Sequence, residues 1–397
     1  MTDASRQARM DAAGPLSLVA DGPLQRLLCR LHCSDAALGR LGRRVALAMA
    51  LLWLPLLVLS LMDGRAWEGA QVPFLKDVDT ALRYLVALPL MLAAEVLVHR
   101  RMTVAVGKFV ERGLVEPAQD EAFRRILAAM RRAVASSRVE ALLLAFVYVV
   151  GIGAIWRQVS ALEIDTWYGV VENGQLQLRL PGLWMQWVSV PLFQFLILRW
   201  YYRLLLWAVL LWRLSRLPLA LQPLHPDQAG GLGFLSQMTL AFVPLLVAQG
   251  TMASGWIAGQ ILYSDAQLLH FKLDLAAATV VSLCFVLAPL LPFVPALADA
   301  KRLGLSAYGA LAMDYAADFQ RKWLGRGGSP SPLGDADFQS LADLGNSYQS
   351  LSNMRVFPVG LRLVAKLAVA FLAPVAPLAL TMVSADELLD RVVSLLL

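Results

Sequence analysis

The sequence predicts an all-α, polytopic membrane protein with about seven transmembrane helices, and three observations carry that prediction. The first is composition. Across 397 residues the chain is 58% hydrophobic and 16% charged, with mean hydropathy +0.60. Soluble domains carry about 25% charged residues, so a soluble reading would need an implausibly large core. The second is length, because seven apolar runs approach the roughly 20 residues that cross a hydrocarbon layer of about 30 Å. The third is charge placement. Lys and Arg fall about four to one on alternate inter-span segments, which places the amino terminus inside and the carboxyl terminus outside.

The net charge of +6 does not point to nucleic acid, since the basic residues flank apolar runs instead of forming one arm or stripe. Most of the 35 Lys and Arg are Arg, a bias that suggests a bacterial genome and a multi-pass protein of the inner membrane. Three cysteines make no disulfide framework. Cys29 and Cys33, with His32 between them, read as two reduced interfacial thiols in preference to half of a metal site, and Cys284 reads as packing. No metal or cofactor is expected. The first apolar run starts after residue 44 with no small-residue cleavage pattern, so no cleavable signal peptide is expected.

Residues 1–21 are small, polar and aperiodic and read as a disordered tail. From Gly22 to Arg44, Leu24, Leu27, Leu28 and Leu31 share one face with Arg26 and Arg30 on another, giving an amphipathic interfacial helix. Spans one to six then occupy residues 45–298. The first is Val45 to Met62, and the second is Thr80 to Val98, with Arg83 near its start and Glu95 near its end. The basic segment 99–138 reads as cytoplasmic, with a helix opened by Asp120 and Glu121 and closed by Arg131, Arg132 and Arg138, as the helix dipole prefers. Anionic lipid is a candidate partner for it.

The third span is Val139 to Trp156. Beyond it, Val170 to Leu176 enclose Asn173-Gly174, the strongest short hairpin signal, and predict a small external hairpin. Leu183 to Trp212 is about 45 Å of helix, too long for one bilayer and too short for two spans with a turn. One helix must cross and then continue beyond the membrane. Its Leu204 to Trp212 part, apolar on all sides, then needs other elements to bury it. The fifth span is Leu235 to Tyr263 and the sixth Leu275 to Ala298. Residues 299–360 form a cytoplasmic helical segment. Residues 361–397 hold the seventh span, Leu361 to Met382, and a terminal amphipathic helix opened by the capping box Ser384 to Glu387.

Four groups of residues and a single glutamine are candidate sites. The loop 213–234 carries His225, Asp227, Gly230 and Gly231 between two of the most apolar segments. His225 and Asp227 suit a metal pair, an acid–base pair or a ligand clamp. The favoured reading is structural, with Asp227 capping the fifth helix and the glycines admitting close backbone approach. Gln339, Asp343 and Asn346 share one helix face and form either a helix contact or a site wall. Arg199 and Arg203 lie one turn apart on the fourth helix, and either snorkel to headgroups or face a polar interior. Pro289 and Pro292 in the sixth span match Pro374 and Pro377 in the seventh. Paired broken helices either mark a translocation path or kink for packing. Gln249, among the glycines of the fifth span, suits close helix packing or a pore wall.

The layout resembles the insect odorant and gustatory receptor channels: seven spans, an inside amino terminus, a fourth helix that overshoots, and a cytoplasmic helix leading into the last span. The resemblance implies a homo-oligomeric ion channel, with four subunits packed through cytoplasmic parts and the final span lining the pore. That family's Thr-Tyr and Gln-Phe signature is absent from Leu361 to Met382, so no functional residue carries over. A channel or transporter-like protein in the lipid bilayer is therefore the leading expectation, with the proline-broken spans lining the path. An enzyme using His225 and Asp227 at the membrane face, and a membrane sensor or scaffold, are the alternatives.

Overall fold

The computed structural model describes residue 9 and residues 16–19, 22–30, 40–151, 165–172, 175–264, 266–324 and 336–382. Six helices are long and apolar enough to cross a membrane, or seven when one bent pair counts as a single span. The chain forms α1 (Pro23–Arg30), α2 (Leu41–Met62), α3 (Val78–Glu111), α4 (Asp120–Val134) and α5 (Ser137–Gly151). A hairpin of β1 (Gly169–Glu172) and β2 (Gln175–Leu178) follows. Then come α6 (Leu180–Ser215), α7 (Phe234–Tyr263), α8 (Leu268–Trp323), α9 (Ala336–Ser352) and α10 (Leu361–Thr381). α4 and α5 are the bent pair, meeting at 45° across Ala135 and Ser136.

The antiparallel hairpin pairs Gly169 with Leu178 and Glu172 with Gln175, the register expected around Asn173-Gly174, whose own residues lie outside the described part. It belongs to a cap at one end of the bundle. There Trp167, fully buried, donates Nε1–H to Asp77 at 2.9 Å and stacks edge-on against Phe74. Arg179 pairs with Asp63 at 2.6 Å, and the Tyr263 hydroxyl donates to the Lys76 carbonyl. Segments 63–77, 165–179 and 263–268 therefore share this end, and the loop 216–233 sits at the other.

The fourth helix is one rod of 36 residues, about 54 Å at 1.5 Å per residue. Its overshoot is buried along one side only, and Leu205 and Trp212 stay exposed. Leu204, Leu206, Trp207, Leu210, Leu211 and Leu214 are covered, and α4 packs on α6 with Phe123, Leu127, Met130 and Val134 at helical spacing. The core runs on from there. Phe109 of α3 meets Phe234 of α7 edge-on at 5.1 Å and Phe293 of α8 at 6.4 Å.

Prolines inside the spans withhold backbone donors, and side chains on neighbouring helices take up carbonyls near them. Leu51, four residues before Pro55, accepts from Trp184 Nε1, and its neighbour Leu52 accepts from Ser189 Oγ at 2.8 Å. The carbonyl of Trp187, four residues before Pro191, accepts from the Tyr148 hydroxyl at 3.0 Å. From Ala373 onward α10 is a 3₁₀ helix, in which Pro377 leaves the carbonyl of Pro374 unclaimed. Ser254 Oγ donates to it at 2.8 Å.

Three expectations change. Residues 1–21 do not stand free where they are described, because Leu16, Ser17, Leu18 and Val19 are buried and Arg9 pairs with Asp120. α2 begins four residues before Val45, which draws Arg44 into the helix and under cover. No boundary falls between 298 and 299. The sixth span and the following helix are one continuous rod of 56 residues, because Pro289 and Pro292 sit in a 3₁₀ stretch, Ala288–Phe293, that carries the helix through, and Pro295 sits in the first turn of the next segment, where proline is tolerated. α9 folds back along its outer part. The terminal helix at 384–397, the linker at 327–334 and Cys33 lie outside the described residues.

Candidate functional site

Glu95 lies on α3 between Ala94 and Val98, one turn inside the point where that helix reaches His99, Arg100 and Arg101. A lone carboxylate in such a stretch must find cations, since a charge at bilayer depth costs a few kcal/mol even on insertion scales. Three converge on it. Arg203 reaches Glu95 Oε1 at 2.5 Å and Arg199 reaches the same oxygen at 3.2 Å. Arg44, from the first turn of α2, takes Oε2. Arg199 and Arg203 stand one turn apart and so share a face of α6, which is what lets both meet a single side chain. Arg199 Nε also donates to Glu140 Oε1 of α5 at 2.9 Å, and the Arg203 guanidinium lies 5.2 Å from the Trp200 ring centroid. Glu95 is 2% exposed, and Arg44 and Arg203 are 3%.

The network thus joins α2, α3, α5 and α6, and α1 closes over it. The backbone N–H of Leu24 donates to Glu140 Oε2 at 2.9 Å. Gly22 sits directly above the pair, where an added Cβ would come within 3.0 Å of Arg199 and 3.2 Å of Glu140. Three guanidiniums face two carboxylates, leaving one positive charge in excess. Nε and Nη1 of Arg44 and Nη2 of Arg203 have no acceptor among the described residues. Chemically this is a lock with spare donors. It holds four helices together, and removing either carboxylate leaves more buried guanidinium charge uncompensated.

The loop after α6 is a second polar centre. Gln228, Gly230 and Gly231 take φ of 55°, 63° and 95°, a left-handed turn that curls the backbone around Asp227. Asp227 Oδ1 accepts from Ala229 at 2.9 Å and Gly231 at 3.1 Å, and Oδ2 accepts from Gly233, just before α7, at 2.8 Å. Arg112 reaches Asp227 Oδ2 at 3.0 Å and the Gly231 carbonyl at 2.8 Å. Burial pushes the Asp227 carboxyl up, but the N–H groups of Ala229, Gly233 and Gly231 and the neighbouring His225 outweigh it and hold its pKa below the ordinary value.

His225 Nδ1 stands 3.2 Å from the Asp227 N–H and 3.0 Å from Asp227 Oδ1, so it accepts from the first when unprotonated and donates to the second when protonated. Arg355 donates to the Asp227 carbonyl at 2.9 Å, and its own N–H donates to the Gln228 carbonyl. An added Cβ on Gly230 would meet Leu297 and Met354 at 3.1 and 3.2 Å. A carboxylate so engaged is a tie point for the end of α3, the start of α7 and the segment before α10. It has no acceptor capacity left for acid–base work. No family model, curated protein or solved structure compared with the chain matches it. The likeness to the insect receptor channels is accordingly one of helical layout alone.

The remaining candidates are scattered. Gln339, Asp343 and Asn346 are exposed on α9, where Gln339 donates to Asp343 at 3.0 Å, and they do not meet the His225 loop. Gln249 donates to the Tyr201 hydroxyl at 3.3 Å beside a small cavity of about 40 Å³, its Oε1 buried without a donor among the described residues. Pro289 and Pro292 border a groove of about 610 Å³ between α6 and α8 whose walls are almost wholly apolar, including Tyr201, Trp212 and Phe285. Cys284 is exposed in that groove, not packed in the core. Among the described residues no three metal-binding side chains cluster.

Arg44, Glu95 and Glu140 are the members of the network that sequence reasoning missed. The signal for Glu95 was present: an acid in one span and two bases in another are charges that seek opposite partners within the bundle.

Proposed function

We propose that the chain is a channel or transporter-like protein of a bacterial inner membrane, working as a homo-oligomer, with its amino terminus and the 216–233 loop on the cytoplasmic side. The observation that carries this reading is the buried network of Glu95 with Arg44, Arg199 and Arg203. Ionisable side chains within membrane spans are rare, and by default they point to a functional site such as an ion path. The network joins helices whose relative movement would open or close a route. α10 supports the same reading. It buries Leu367, Phe371 and Val375 against the bundle and leaves Val369, Leu372 and Pro377 on an open face that other copies can meet. The apolar groove at Pro289 and Pro292 is no aqueous route within one copy, so a path would run between copies along α10.

The test is flux. Purified protein in liposomes should pass small ions well above empty liposomes. Arg203→Gln should change that flux by about tenfold or more, the size of a coupling worth 1.4 kcal/mol, with the protein still monodisperse. Absence of flux for both anions and cations would leave the scaffold reading. That second reading is favoured by one observation: the outer part of α8 and α9 form an extended helical pair with Leu303, Leu311 and Met313 exposed.

A further inference from the structure

Where α3 leaves its apolar stretch it carries Arg100, Arg101 and Lys108, and facing them is the start of α7. Between the two helices lies a pocket of about 560 Å³. Its lining contains these three cations, Gln237, and an apolar part that includes Val104 and Met238, with no carboxylate among the described residues. Arg101 is already positioned, donating to the Gln237 carbonyl at 2.8 Å. Arg100 and Lys108 make no ion pair among the described residues. This contrasts with Arg44, Arg112, Arg199 and Arg203, each of which has a carboxylate partner. The chain has left three positive charges together, at the level where two spans meet the bilayer surface, facing a cavity.

We propose that this pocket holds the phosphate headgroup of an anionic glycerophospholipid. Arg100 and Arg101 would take the phosphate oxygens. Lys108, two turns further along α3 and about 12 Å beyond Arg100 along the axis, would reach the outer headgroup oxygens. Three features select a lipid over free phosphate. The cavity is much larger than one phosphate ion, and part of its lining is apolar. It also lies where α3 and α7 enter their apolar stretches, so that acyl chains of a lipid held there would reach the bilayer. Juxtamembrane cations attract anionic lipid by about 1 kcal/mol each, and a pocket between helices adds geometry to that attraction. The proposal stands apart from the channel reading and survives its failure.

The test is native mass spectrometry of the full chain released from detergent with phosphatidylglycerol or phosphatidylcholine. The wild type should retain phosphatidylglycerol preferentially. The triple variant R100Q/R101Q/K108Q should lose at least about tenfold of that retention, as three cations at about 1 kcal/mol each allow. Because Arg101 also holds Gln237, R100Q/K108Q is the companion variant and should lose about fivefold or more on the same scale. The control R124Q/R125Q/R132Q removes the same charge from the exposed face of α4 and should retain the lipid. Equal retention by the companion variant, or equal loss in the control, overturns the site. Displacement of the lipid by millimolar inorganic phosphate would assign the pocket to a soluble anion and overturn the lipid proposal.

Discussion

Arg203 of α6 and Glu95 of α3 meet at 2.5 Å with both side chains almost wholly buried, although they stand 108 positions apart in sequence. Their pairing depends on two further cations, so the network responds asymmetrically to mutation. Glu95→Gln removes the common acceptor of three guanidiniums and should destabilise by about 3–5 kcal/mol, the cost of stranding buried charge. Arg44→Gln removes the excess charge and should cost clearly less. Thermal unfolding of both variants in detergent checks the order, and a larger loss for Arg44→Gln would refute it.

Asp227 ties its loop from within. Asp227→Asn loses the acceptors for Gly233 and Arg112 and should cost about 1.5–3 kcal/mol at neutral pH, the range for hydrogen bonds to charged groups. Because the folded carboxyl titrates below its ordinary value, its contribution is complete above the unfolded value of about 4 and is lost as pH falls through the folded one. The gap between wild type and variant should therefore narrow below pH ~4. A gap that stays constant down to pH 3 would contradict the assignment. His225→Ala, by contrast, should leave a folded, membrane-inserted protein.

Gly250 of α7 stands where an added Cβ would fall 1.9 Å from the Phe371 carbonyl of α10. Gly250→Ala must push the last span away from the bundle, with an overpacking cost of about 1–3 kcal/mol. Limited proteolysis of the segment before α10 should quicken. Gly259→Ala, with nothing within 4 Å of its added Cβ, serves as the control and should behave like wild type.

Ser254→Ala strips the donor from the Pro374 carbonyl. Interhelical hydrogen bonds in membranes average about 0.6 kcal/mol and reach about 1.7, so a small loss of stability is expected. Restoring a backbone donor with Pro377→Ala in the same chain should recover part of it. No recovery would mean that the hydroxyl serves α10 in another way.

The apolar runs and the Asn173-Gly174 hairpin were readable because each is decided within one segment, by length, hydropathy or turn chemistry. The long α6 was readable for the same reason, but only one side of Leu204 to Leu214 is covered, since Leu205 and Trp212 stay exposed. The ionic network was half readable. Arg199 and Arg203 stood out on their helix, but their partners come from three other helices, and pairing across such distances is a property of packing that no local period encodes. The continuity of α8 was hidden by its prolines, which read as a break although a 3₁₀ stretch accommodates them. The His225 loop drew attention through its composition, but only the geometry showed that Arg112 and Arg355 complete it.

The unbroken course of α8 makes it a lever. At about 1.5 Å per residue its 56 residues extend about 84 Å, well over twice the thickness of a hydrocarbon layer. A partner that tilts the protruding arm must therefore also turn the part that lies among the other spans, with the stretch around Pro289 and Pro292 as fulcrum. Push at one extremity becomes displacement at the other, and no separate relay is needed.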